Sequence, residues 1–65
     1  MTPADYEKRL FKVQKAAMRA LPYMPRQSKY RTWSYAALAE TLSIAKFLQL
    51  EARLEKFYGR VGETL

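Results

Sequence analysis

Two prolines three residues apart divide this chain. Pro22 and Pro25 lack backbone donors, and each biases its predecessor away from the helical region. On either side, residues 4–21 and 26–58 contain neither Pro nor Gly. The sequence therefore reads as helix, linker, helix. Thr2 caps the first helix ahead of Pro3, whose missing N–H costs nothing at the first helical position. Asp5 and Glu7 follow in the first turns, where the helix dipole favours anions. This helix runs to about Leu21. Residues Pro22 to about Trp33 form a linker rich in basic and aromatic side chains, and whether it holds a short third helix is left open by the pattern. Ser34, or Thr32, is the expected cap of a second, longer helix running to about Tyr58. Gly59 suits the left-handed position that closes such a helix, and Lys56 and Arg60 complement its dipole. No stretch alternates as a strand would. The expected fold is all-α: one small domain over residues 1–65, hairpin-like, with one shorter and one long helix joined by a Pro/aromatic/basic linker.

The residue inventory bounds the chemistry. The 65 residues include no Cys and no His. Disulfides, thiolate metal sites, the usual general base and the usual zinc ligands are therefore excluded. With two Gly there is no Gly-rich phosphate loop. Glu51 and Glu55 lie at i,i+4 but are flanked by Arg53 and Lys56, as on a solvated helix face. The expectation is no enzyme, no cofactor, no metal and no small-molecule substrate. Residues Met1–Asp5 carry neither a basic nor an apolar leader segment, and no apolar run is long enough to span a bilayer. The expected setting is cytoplasmic, with no membrane partner.

Twelve Lys and Arg against six Asp and Glu give a formal charge of +6. Such a balance favours polyanions or acidic protein surfaces, and it also serves solubility. Placed at 100° per residue, the first helix shows an apolar stripe of Tyr6, Leu10, Val13, Ala17 and Leu21. Lys8, Lys12, Lys15 and Arg19 line the opposite face with no acid between them. Like charges at i,i+4 repel by a few tenths of a kcal/mol, so this row carries a cost. Phe11 and Met18 sit on the flank of the stripe. In the long helix, Tyr35, Leu38, Leu42 and Ala45 share one face. Phe47, Leu50, Leu54, Phe57 and Val61 alternate 3 and 4 like a heptad seam. Ile44 and Leu48 point in another direction. The first helix alone cannot cover all these faces, so a partner surface is expected at Phe11, Met18, Trp33, Phe47, Leu50, Leu54 and Phe57. The linker interleaves Tyr23, Arg26, Lys29, Tyr30, Arg31 and Trp33. Basic and aromatic residues together can hold phosphates and stack bases, and an aromatic linker can equally plug a core.

The series Thr2-x-x-Asp5-Tyr6-x-x-Arg9-Leu10-x-x-x-Gln14 resembles the opening of the Hha/YmoA family of small enterobacterial regulators. Lys29-Tyr30 resembles a pair preceding that family's long helix. Leu38-Ala39, Ser43, Ala45, Glu51, Lys56 and Tyr58 match further positions, after an insertion of about three residues between the blocks. The resemblance implies an all-helical, nucleoid-associated regulator. Its partner would be the N-terminal dimerisation region of an H-NS-like silencer, and its basic surface, Arg9 included, would strengthen the complex's grip on DNA. The register places Lys46 where the family carries an Asp that engages an Arg of H-NS, which inverts that charge. The family's final short, Trp-bearing helix has no counterpart before Leu65.

These readings converge on a small basic regulator of gene expression that acts through an H-NS-like protein. Lys8, Arg9, Lys12, Lys15, Arg19, Arg26, Lys29 and Arg31 would face the polyanion. Two alternatives stand beside it. One is a homodimeric hairpin that binds nucleic acid directly and without sequence preference. The other is a structural or inhibitory module that binds an acidic protein.

Overall fold

A computed structural model describes residues 2–58 as three α-helices: α1 Pro3–Ala20, α2 Lys29–Leu38 and α3 Ile44–Tyr58. A single 3-10 turn, Leu21–Tyr23, extends α1. The fold is all-α, and the described residues include no strand. The positions expected to close the last helix, Gly59 and Arg60, and the seam position Val61 lie outside the described residues.

α1 starts as its sequence dictates. The Thr2 side chain accepts from the Asp5 backbone N–H at 3.2 Å and donates to the Asp5 carboxylate at 2.7 Å. Pro22 sits in the 3-10 turn, where the α-helical ladder has already ended. The linker is shorter than expected. Ser28, not Ser34 or Thr32, caps α2, accepting from the Tyr30 N–H. Ser34 is instead fully buried inside α2, and its hydroxyl donates to the Tyr30 carbonyl at 2.7 Å.

The expected long helix is broken, and this is the main correction to the sequence reading. α2 ends at Leu38, and the chain turns before α3 begins at Ile44. The turn is a Schellman closure. The Thr41 N–H donates to the Ala36 carbonyl at 2.9 Å, and the Glu40 N–H to the Ala37 carbonyl at 3.1 Å. Glu40 occupies the left-handed position between them with φ 58°. Gly usually fills that position, because a side chain there costs about 1–2 kcal/mol. Ser43 then restarts the helix, its hydroxyl accepting from the Lys46 N–H at 3.4 Å. Leu42, just before this cap, and Phe47, four residues after it, are both buried, the pattern of a hydrophobic staple. Glu40→Gly should therefore raise stability by about 0.5–1 kcal/mol, after the larger unfolded-state entropy of Gly is subtracted. A thermal melt should move up by a few degrees; an unchanged or lower midpoint would mean that Glu40 carries no conformational cost.

The three helices pack on one another around a core of Leu10, Val13, Ala16, Ala17 and Ala20 from α1, Ala37 from α2, Leu42 from the turn, and Phe47, Leu50 and Leu54 from α3. Four of these ten are Ala, together with the buried Ser34, so α1 meets its neighbours through small side chains. Tyr6, Met24, Tyr30 and Trp33 close the margins of the core. Tyr6 packs on Phe47 with ring centroids 5.2 Å apart, and Tyr30 meets Trp33 edge-on at 5.4 Å.

Candidate functional site

α1 separates its two faces cleanly. Leu10, Val13, Ala16, Ala17 and Ala20 turn into the core, and Lys8, Lys12, Lys15 and Arg19 lie exposed on the far side. Over eleven residues at 1.5 Å each, this cationic row is about 16 Å long. Phe11 and Met18 stand exposed along one edge. The Lys15 ammonium lies 4.6 Å from the Phe11 ring centroid. Such a contact shields one face of the ring and leaves the ammonium's outward donors available.

Other expected binding residues have different work. Arg9 reaches across to α3 and grips Glu51 with two nitrogens; its Nε donates to Oε2 at 3.0 Å, and its Nη2 donates to Oε1. Glu51 is therefore not on a solvated face as expected. Its side chain is 13% exposed and Arg9's is 42% exposed. The hydrogen bond that Arg9 donates to Glu51, helped by the charges of Glu51 and Glu55, holds the Arg9 guanidinium above an already high ordinary range, against the opposing effect of burial. A raised cation contributes its stability below its unfolded-state value and loses it only as pH climbs through the folded one. For an Arg that window lies at strongly alkaline pH, so Arg9 stays charged throughout the neutral range.

Arg31 is also occupied. One guanidinium nitrogen donates to the carbonyls of Leu21 and Met24, both at 3.2 Å. These carbonyls lie just beyond the end of α1, and that of Leu21 also accepts from the Met24 N–H at 3.2 Å in the 3-10 turn. Arg31 thus acts as a side-chain cap that ties α2 to the end of α1. Gln14 makes a second tie, donating to the Ala37 carbonyl at 2.9 Å. Arg26 is exposed in the turn before α2. Lys29 is exposed at the first position of α2. Its ammonium lies 5.3 Å from both the Tyr30 and Trp33 ring centroids, and Arg53 approaches Tyr30 from α3 at 5.2 Å. Tyr30 and Trp33 are packed against the core, which places these two rings in the plugging role.

No family model, characterised protein or solved structure matched the chain.

The expected partner surface divides. Phe47, Leu50 and Leu54 are fully buried and form the α3 side of the core, so they offer no surface in this fold. The break at Ala39–Ser43 explains the change: it swings α3 back, and the seam meets α1 and α2 of its own chain. Trp33 is half-buried. Phe11, Met18 and Phe57 remain exposed. Two exposed residues that the expected surface left out are Ile44 and Leu48, 58% and 39% exposed. They lie one turn apart on α3 and share a groove of about 800 Å³ with Asp5, Lys8, Arg9 and Lys12 of α1. Their separate direction on the helical wheel was the available signal. No helix among the described residues is long and apolar enough to cross a membrane.

Proposed function

We propose that this chain is a non-catalytic binding module that modulates gene expression by adding a cationic helix face to DNA, held there by a protein partner of the H-NS type. The observation that supports it most is the row Lys8, Lys12, Lys15 and Arg19, exposed opposite the core of α1. At about 16 Å it exceeds the roughly 12 Å width of the B-DNA major groove, so it can reach phosphates on both lips. Phosphate contacts of this kind position a protein without reading sequence. The row presents neither Asn nor Gln to pair with adenine, and the contacts proposed for its lysines and arginine are to phosphates. The exposed apolar residues beside the row favour a partner-held module over one that relies on DNA alone.

The test is fluorescence anisotropy of labelled duplex DNA at two salt concentrations, with and without an H-NS-type silencer. Four phosphate contacts would give a slope of log affinity against log salt of about −3.5. Affinity would then fall by about a hundredfold between 50 and 200 mM salt. A shift in the silencer's binding curve with little binding alone supports the partner-held reading. Salt-steep binding alone, unaffected by the silencer, supports the direct binder. Lys12→Glu with Lys15→Glu, two exposed positions, should leave the fold intact and flatten the slope by about 2. An unchanged curve for the double variant would reduce the row to a solubility feature.

A further inference from the structure

The groove between α1 and the start of α3 joins two kinds of surface. Its α3 wall is aliphatic: Ile44 and Leu48, one turn apart and both exposed. Its α1 wall carries the exposed ammonium groups of Lys8 and Lys12. Of the other charges in the groove, Arg9 is paired with Glu51, and Asp5, which accepts from the Thr2 hydroxyl, keeps its negative charge, so the two lysines outnumber it. The net character offered to an incoming group is therefore apolar on one side and cationic on the other. The phosphate backbone makes no use of the aliphatic half.

We propose that this groove docks an acidic amphipathic helix of a protein partner. The inference rests on the reading above only in requiring that a protein holds the chain; it does not require DNA, and a docked helix that engages Lys8 and Lys12 leaves Lys15 and Arg19 as the phosphate contacts. A helix lies naturally in the trough between two packed helices, anchored by apolar residues at i and i+4. Leucines so spaced would cover Ile44 and Leu48. Lys8 and Lys12 are also i and i+4, about 6 Å apart along α1. Glutamates at i and i+4 on the flank of the incoming helix share that spacing and would meet both. The carboxylates also lie near the amino end of α3, the positive end of its dipole. A helix with lysines on that flank would be repelled, so charge as well as shape selects the partner.

The experiment titrates isotope-labelled protein with a synthetic helical peptide carrying leucines and glutamates at these spacings, and follows Ile44 and Leu48 methyl resonances. Saturable shifts confined to Ile44, Leu48, Lys8 and Lys12 are expected. A peptide with its glutamates replaced by lysines should bind at least tenfold more weakly. Leu48→Ser, a charge-neutral change at an exposed position, should weaken the acidic peptide at least tenfold while leaving the salt-dependent DNA curve unchanged; Ile44→Ser should do the same. A flattened DNA salt slope in Lys15→Glu, which lies outside the groove, speaks to the proposed function, whereas loss of peptide binding by Leu48→Ser speaks to this groove. Equal binding of the lysine peptide, shifts that map elsewhere, or no saturation overturns the proposal. So does an anionic phosphatidylglycerol vesicle that perturbs the same methyls when the peptide does not, since the surface would then belong to lipid.

Discussion

Leu50→Lys is expected to leave the chain unfolded at every protein concentration. Leu50 is fully buried in the α3 side of the core. A Lys there would have to desolvate an ammonium among apolar side chains or displace them, and either costs several kcal/mol. A domain of this length holds about 3–10 kcal/mol of total stability. The substitution consumes most or all of it. Circular dichroism should show lost helix, and diluting the protein a hundredfold should change nothing. That independence of concentration distinguishes a core residue from a seam between two chains. A monomeric variant as helical and as stable as the parent would show that Leu50 lies outside the core.

Phe47→Ala carries the second large effect. Phe47 is the bulkiest of the fully buried side chains. Truncating such a ring typically costs about 3–5 kcal/mol, because the surrounding groups only partly close the cavity. The Tyr6–Phe47 contact is lost as well, which adds to area burial alone. In a domain this small the melting midpoint should fall by about 15–30 °C. Phe47→Leu keeps most of the apolar volume and should retain a cooperative transition. If the Ala variant melted within a few degrees of the parent, the three-helix core would be wrong in its centre.

The start of α1 and its two faces were legible because each rests on local chemistry. Thr2, Pro3 and Asp5 specify the helix start within a few residues, and the spacing of Leu10, Val13 and Ala17 specifies the inner face. The break in the second helical stretch was harder to see. Its closure uses Glu40 in a conformation usually supplied by Gly, and the residues that restart the helix, Leu42, Ser43 and Phe47, read equally well as the interior of an amphipathic helix. The signal existed as a staple and cap around Ser43. A longer uninterrupted pattern outweighed it. Missing the turn also misplaced Phe47, Leu50 and Leu54, since without the reversal nothing in the chain could cover them.

The cationic residues show a similar limit. Lys8, Lys12, Lys15 and Arg19 were placed correctly on one exposed face because helical periodicity alone determines it. Arg9 lies off that row by periodicity and enters through the family resemblance, and Arg31 through its place in the linker. Their partners are a carboxylate 42 residues away and two carbonyls at the end of another helix. Long-range pairing of this kind leaves no local signature. Glu51 was misread for the same reason: its neighbours in sequence are basic, but the cation that holds it comes from α1.

The two sides of α1 are also filtered differently over evolutionary time. Changes at Ala16, Ala17 or Ala20 are screened by packing, because these positions have no room for a larger side chain. Changes at Lys8, Lys12, Lys15 or Arg19 escape that screen, since none of the four is buried. The inner row therefore records the demands of folding, and the outer row records what the surface meets. In a related chain, erosion of the outer row with the inner row intact would mark a lost contact in a protein that still folds.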